Sequence, residues 1–304
     1  MEDTQHFNVI IIGGSYSGLS AAMALGRALR NVLIIDSGKP CNAQTPHSHN
    51  FITQDGETPK AISDKAKSQV LEYKTVKLLN DLVIDASKSE SGFGIATQSG
   101  STFTTEQLVF ATGVKDRMPN IKGFAECWGI SVIHCPYCHG YEVKQERTGI
   151  LANGDAAYHY AQLISNWTND LTIFTNGAST LTLEQINTIK KHNITIVEKN
   201  IASLEHQDGH LKHVVFTDGS NFPLKAIYAR PDFEQHCKLP EQLGCELTEQ
   251  GHIKVDMLQN TTVPNISACG DCTTPMRAVS FAVALGTVAG AAVNNKMTEK
   301  EFNK

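Results

Sequence analysis

The strand-like run Phe7-Asn8-Val9-Ile10-Ile11-Ile12 stops abruptly at Gly13-Gly14-Ser15-Tyr16-Ser17-Gly18, and a helical pattern follows from Ser17 to Leu29. No other feature of the chain restricts its fold so tightly. A buried parallel strand that ends in a glycine turn and re-enters as a helix is the first half of a β-α-β unit, and Val32-Leu33-Ile34-Ile35 supplies the returning strand. In that setting Gly13 makes the tight turn, Gly18 lets helix and strand approach, and N–H groups at the helix start face a pyrophosphate. Ser15 stands at the middle glycine position of G-x-G-x-x-G, which is a departure. Asp36 closes the second strand near the ~20 residues past the last glycine at which a carboxylate meets a ribose hydroxyl. The turn reads as a dinucleotide fingerprint rather than as a plain structural turn.

A second such unit begins at Thr148-Gly149-Ile150-Leu151, continues through a helix from Asp155 to Asn166 and closes on Leu171-Thr172-Ile173-Phe174. Its turn, Ala152-Asn153-Gly154-Asp155-Ala156-Ala157, has alanine where the first glycine belongs, which predicts a poorer approach of backbone to a pyrophosphate. Between the units, Gln107 to Thr112 is a strand running into Gly113, and the Pro119 to Gly123 stretch marks a domain crossing. The expected class is α/β with two Rossmann-like domains, and 304 residues suit two domains of ~100–200 each.

A net charge of −5 leaves no basic footprint, so no nucleic-acid partner is expected. Met1-Glu2-Asp3-Thr4 carries no basic leader, and Val9 to Ile12 is shorter than the ~7–15 residues of a signal core, so export is not expected. Val279 to Val293 is almost wholly apolar and holds the small-xxx-small pair Gly286 and Gly290. It is shorter than the ~20 residues of a membrane span and reads as a buried helix of a soluble fold. Eight cysteines in a chain too large to need disulfide staples point to a reducing cytosol with mostly free thiols.

Cys135-Pro136-Tyr137-Cys138-His139 is the chemical centre. Its two-residue spacer lets the sulfurs close a small ring, and such pairs often have one thiol depressed from ~8.5 into the ~3.5–7.5 range. The alternative is half of a zinc site completed by Cys269-Gly270-Asp271-Cys272, but the halves of such sites usually stand ~12–20 residues apart and these stand much further. His47 and His49 form a His-x-His pair without a third ligand nearby, and no metal is expected. His139 titrates near ~6.5 and can trade a proton with a departing thiolate; a hydrogen-bonded structural histidine is the other reading. His134 and His159 read as structural, and Cys41, Cys127, Cys237 and Cys245 as ordinary thiols.

In their order along the chain, Gly13 to Gly18, Asp36, Ala111-Thr112-Gly113, Cys135 to Cys138 and Ala268-Cys269-Gly270-Asp271 resemble the low-molecular-weight thioredoxin reductases over essentially the whole sequence. The stretches His134 to Glu142 and Asp271 to Met276 are most similar to the branch of fungal gliotoxin-type dithiol oxidases and their bacterial relatives. The resemblance implies an FAD domain formed by residues 1–117 and 232–304, with a nicotinamide domain, 118–231, inserted and carrying the cysteine pair. It implies flavin contacts from Gly13, Gly14, Ser15, Ser17, Gly18, Asp36, Thr112 and Gly113, with Asp271 on the ribityl chain and the backbone around Arg277 and Ala278 at the pyrimidine edge. Asn50, with His47 and His49, falls in a loop that this branch places near the flavin, although a surface loop is equally compatible; Gly154 falls at the nicotinamide site.

His139 departs from the aspartate that usually follows the second cysteine in this family, and Thr175-Asn176-Gly177 stands where NADPH-dependent members carry arginines. The implied activity is FAD-dependent dithiol/disulfide exchange, with NADPH or possibly NADH as donor and a thioredoxin-like protein or a small-molecule disulfide or dithiol as substrate. Cys138 would meet the flavin and Cys135 the substrate, in a cytoplasmic homodimer. One rival is a dithiol oxidase that passes electrons to oxygen. Another is a flavin-binding regulator without turnover, against which the intact Cys135 and Cys138 argue.

Overall fold

Consecutive residues of a strand point to opposite faces, so the uninterrupted apolar run Val9 to Ile12 requires a sheet covered on both sides. The computed structural model, which describes residues 5–304, has that sheet. The first four residues, read above as lacking a basic leader, lie outside the described residues. Val76–Asn80, Val32–Asp36, Gln5–Ile12 and Thr102–Phe110 run side by side and parallel. The far edge of Thr102–Phe110 pairs in parallel with Ile266–Ala268, and lower down in antiparallel with the hairpin Gly92–Thr97 and Val83–Ser89. Ile10, Ile12, Leu33, Ile35, Leu108 and Phe110 fill one face. Val9, Ile11, Val32, Ile34 and Val109 fill the other, beneath Leu19 and Leu25 of the helix Tyr16–Arg27 and Ala289 and Val293 of the helix Val279–Phe302.

By packing, the described residues divide into two units: one holds residues 5–43 with Phe51–Lys115 and Phe233–Lys304, the other holds Gln44–Asn50 and Asp116–Asp232. The segment Gln44–Asn50, assigned by sequence to the first domain, therefore packs with the second, for the contact reasons given below. The second unit carries a five-stranded parallel sheet in the order Thr195–Val197, Leu171–Phe174, Thr148–Leu151, Ala226–Ala229, Val132–Ile133. A three-stranded antiparallel sheet, Ile201–Gln207, His210–Phe216 and Asn221–Pro223, completes it.

The apolar stretch expected to end near Val293 continues as a helix to Phe302. Its last turns are polar but keep Met297 buried one turn beyond Val293, and Arg30 holds them through Asn294 (2.7 Å) and Glu301 (2.6 Å). Among the described residues no helix is long and apolar enough to cross a membrane. Gly286 and Gly290 serve a different contact: a Cβ on Gly286 would lie 2.1 Å from Ser17 O, and one on Gly290 2.5 Å from Ala21 O. These glycines let the C-terminal helix lie directly on the fingerprint helix, where Ser20 Oγ donates to Val283 O at 2.7 Å. Gly286→Ala should therefore destabilise the protein by about 1–3 kcal/mol, the usual range for overpacking. Urea denaturation followed by circular dichroism checks this, and an unchanged midpoint would refute it.

Candidate active site

The first turn of the chain is built by backbone meeting backbone. Gly13 follows the strand end, donates its N–H to Ile35 O (2.8 Å) and adopts φ +105°, and a Cβ there would lie 2.3 Å from Ala111 O. A Cβ on Gly18 would lie 1.9 Å from Gly13 O, so the last glycine is required for space. Ser15 is extended, with φ −88°, so serine at the middle position carries no backbone strain. Its hydroxyl does not cap the helix, and no acidic residue occupies the first turn, which leaves the helix N–H groups facing outward. Asp36 accepts from Gly14 N–H at 3.1 Å and has Lys67 Nζ at 3.8 Å.

The remaining expected flavin residues of this unit converge on the same edge of the sheet. Thr112 and Gly113 follow the strand Thr102–Phe110, and Asp271 follows Ile266–Ala268 beyond Gly270, whose φ of +85° and contact with Ser17 exclude a side chain. Asp271 is paired with Arg277 at 3.6 Å, and Ala278 precedes the first turn of the C-terminal helix, which again has no side-chain cap. Thr112 Oγ1 is buried without a hydrogen-bond partner among the described residues. A bound polar chain running along this cradle would satisfy it. Glycine turn, ribose carboxylate, orphaned hydroxyl and uncapped helix ends together fit FAD.

The second C-x-x-C belongs to this packing. Cys269 and Cys272 are fully buried free thiols, and Cys272 Sγ donates to Cys269 O at 3.3 Å. Burial raises both, Cys272 to about 12, so neither supplies thiolate near neutral pH.

In the second unit Cys135 and Cys138 are joined as a disulfide, with Cα atoms 5.3 Å apart. Pro136 opens the short helix Pro136–His139, where its fixed φ and missing N–H suit a first turn. Gly140 ends it by donating to Pro136 O at 2.7 Å. Its φ of −71° is ordinary, but a Cβ would lie 2.4 Å from Pro136 O and 3.0 Å from Trp167 Nε1 and Tyr228 Oη. Tyr228 is wholly buried, its hydroxyl has no partner among the described residues, and burial followed by the charge of Glu142 pushes its pKa up.

His139 is half-buried beside the bridge. Burial holds its pKa below the ordinary histidine value, Glu142 draws it partly back up, and His49 lowers it further. At neutral pH the ring is uncharged and can accept a proton. His49 reaches this point on the segment Gln44–Asn50, with Nε2 3.5 Å from Glu142 Oε1, while Gln44 Nε2 donates to Trp128 O at 2.5 Å. Asn50, at φ 60°, lies at the end of the same segment and packs with this unit. His134 stacks on Trp128 (5.7 Å), in keeping with its structural reading, and the exposed Tyr137 meets Trp167 edge-on (5.6 Å). Glu142 was not singled out by sequence; it stands in the turn three residues after His139.

The second fingerprint is filled by its own side chains. Asn153 Oδ1 accepts from Gly154 N (2.9 Å) and Thr180 N (2.8 Å), and Asn153 Nδ2 donates to Ala178 O (2.9 Å). Ser179 N donates to the Glu198 carboxylate at 2.9 Å, and Asn176 accepts from Ile201 N at 2.8 Å. The loop after the second strand is thus tied inward, with the Glu198 carboxylate on Ser179 N and Asn176 on Ile201 N.

An open dinucleotide cradle in one unit and a bridged cysteine pair in another define an enzyme that moves electrons to or from disulfides. The family model described as pyridine nucleotide-disulphide oxidoreductase matches residues 7–286. The chain belongs to the pyridine nucleotide-disulphide oxidoreductase family. It is 32% identical to the thioredoxin reductase aclD of Aspergillus oryzae, over 98% of each chain. Among solved structures it is similar to a putative thioredoxin reductase TrxB from Bacillus anthracis (TM-score 0.93, 31% identity, 97% of this chain and 100% of that one). It is also similar to an oxidoreductase from Agrobacterium tumefaciens (TM-score 0.91, 36% identity, 97% and 99%).

Two outcomes follow from these two sites. The denatured protein should release FAD rather than FMN, because Asp36 and the Gly13 turn have the chemistry that would take an adenosine ribose and a pyrophosphate; chromatography of the extract checks this, and FMN would overturn it. For His139 the folded pKa lies below the unfolded value of ~6.5, so below that pH the unfolded chain takes up a proton that the folded one resists. Stability should fall as pH drops from ~6.5 toward the folded pKa. Urea midpoints at several pH values should fall less in His139→Gln than in the parent, and parallel declines would refute the burial argument.

Proposed function

We propose that the chain exchanges electrons between the Cys135–Cys138 pair and a disulfide or dithiol of a thioredoxin-like protein or a small molecule, with Cys135 meeting the substrate. The observation that carries this reading is the bridged pair with an uncharged, half-buried His139 directly after it. A substrate thiol gives its proton to His139 and its sulfur bonds to Cys135, breaking the Cys135–Cys138 bond and releasing Cys138 as thiolate. A second substrate thiolate then attacks the mixed disulfide and frees Cys135. Two thiols are oxidised and one disulfide is reduced; run backwards, the same steps reduce a substrate disulfide.

FAD, held by Gly13, Gly14, Ser15, Ser17, Gly18, Asp36, Thr112, Gly113, Asp271, Arg277 and Ala278, supplies a two-electron carrier when bound. NADPH is the family's donor, and with no guanidinium after Phe174 its discrimination from NADH is expected to be modest. Asn50 and Gly154 remain proposed cofactor contacts. A reducing cytosol and a homodimer complete the reading, supported by the free thiols and the family resemblance.

A second reading, dithiol oxidation with oxygen as acceptor, is favoured by one observation: Asn153 occupies the start of the second fingerprint helix. A single experiment separates the two. The oxidised protein is mixed anaerobically with NADPH, NADH or a dithiol while flavin bleaching is followed by stopped flow. Bleaching by a nucleotide supports the reductase. Bleaching by the dithiol alone, with oxygen consumed on readmission of air, supports the oxidase. In either case Cys135→Ser and Cys138→Ser should each abolish disulfide turnover, and full turnover in both would overturn the mechanism.

A further inference from the structure

The redox turn is met at both ends by tyrosines that the sulfur chemistry does not use. The strand Val132–Ile133 runs into His134 and Cys135, and Ile133 stands in register beside Tyr228 of the strand Ala226–Ala229. Tyr160, on the helix Gly154–Ile164, donates its hydroxyl to His134 O at 3.3 Å, one residue before the first cysteine. At the other end Gly140 closes the turn, and Tyr228 Oη and Trp167 Nε1 lie against its α-carbon, each 3.0 Å from where a Cβ would stand. The two tyrosine rings belong to one buried cluster, with centroids 6.5 Å apart. They differ in one respect. The Tyr160 hydroxyl is bonded while the sulfurs are bridged, whereas the wholly buried Tyr228 hydroxyl has no partner among the described residues.

A hydrogen bond made in one state of an equilibrium favours that state, and a buried polar group left unsatisfied disfavours it. The Tyr160 bond holds the backbone ahead of Cys135 in the place it takes when the sulfurs are joined, so whatever part of that bond is lost on opening favours the bridge. The Tyr228 hydroxyl acts in the other direction. Opening the bridge frees the Gly140 end of the turn to shift against Tyr228, and the last carbonyl oxygens of the helix Pro136–His139 are the acceptors that can then meet its hydroxyl. We propose that Tyr160 and Tyr228 are positioning residues that set the poise of the Cys135–Cys138 pair from opposite sides: Tyr160 stabilises the disulfide and Tyr228 favours the dithiol. This rests on the sulfur-exchange reading above.

The test equilibrates the flavin-loaded full chain, without air and at neutral pH, against graded mixtures of reduced and oxidised dithiothreitol. The bridged fraction is read by acid quench, thiol alkylation and mass spectrometry. In this exchange the protein's sulfur–sulfur bond breaks as one forms in the reagent, and the two thiol protons pass from reagent to protein. Tyr160→Phe should move the equilibrium toward the dithiol by about two- to tenfold, the net worth of one hydrogen bond. Tyr228→Phe should move it toward the disulfide by about fivefold or more, since the unsatisfied hydroxyl is gone. Both exchanges keep the ring and its packing, and the double variant should lie between the two. A role in folding alone would lower the urea midpoints and leave both equilibria at the parent value; that result, or shifts of the same sign, would overturn the proposal. Full disulfide turnover in Cys135→Ser would instead overturn the sulfur-exchange reading itself.

Discussion

Everything in the first unit depends on one contact between backbones, that of Gly13 with Ala111. A side-chain carbon on Gly13 would stand 2.3 Å from the Ala111 carbonyl, and one on Gly18 would stand 1.9 Å from the Gly13 carbonyl. The same helix turn meets Gly270 and Gly286 at comparably short distances through Ser17. Four segments remote in sequence therefore close around the start of one helix with no side chain between them. This is how a unit interrupted by more than a hundred residues still forms one core: the last helix is held to the first by close packing of small residues, which tolerates no substitution that adds volume. It also places Asp36, Thr112 and Asp271 along the same sheet edge, since each follows a parallel strand whose end is in register with Ile12.

The redox turn obeys a different balance. Its geometry is local, set by Pro136 at the start and Gly140 at the end of four residues. Its electrostatics reach beyond the turn: burial lowers His139, Glu142 three residues on raises it in part, and His49 of a distant segment lowers it again. Desolvation is the largest effect, so the ring rests uncharged at neutral pH and can take a proton. The sulfur pair at 269 and 272 shows the opposite limit: complete burial outweighs the hydrogen bonds that would favour thiolate, from Ser17 at Cys269 and from backbone groups at Cys272, and raises both thiols. Identical spacing thus gives a bridged pair at one site and two buried free thiols at the other.

What was legible in the sequence follows this division. The Gly13 turn, Asp36 and the Cys135–Cys138 pair were readable because steric and covalent demands leave few residue types able to meet them. The glycines of the C-terminal helix were legible as a close-packing signal, but their partner was not, since Ser17 and Ala21 lie far away in the chain. The helix ran past Val293 because one buried methionine and two contacts of Arg30 sustain its polar end, and no periodicity in a mixed stretch shows that. The packing of Gln44–Asn50 with the second unit was invisible for the same reason: it rests on Gln44 and on the His49–Glu142 pair, and neither partner is near in sequence.

The two β-α-β turns of this chain show how a fold outlasts its binding signature. In the first, the residue before the helix makes no side-chain cap, and the N–H groups stay available to an anion. In the second, Asn153 accepts from the first N–H of its own helix and ties the following loop to it. A capping side chain contributes roughly 0.5–2 kcal/mol to a helix. The second unit thus gains internally the stabilisation that a bound pyrophosphate would otherwise supply, and it keeps its sheet and helix whether or not a nucleotide arrives. Ala152 in place of a glycine, and Thr175-Asn176-Gly177 in place of cations, are therefore compatible with an intact strand order around them. The first unit has no such freedom, because its glycines are demanded by the backbone contacts as well as by the ligand.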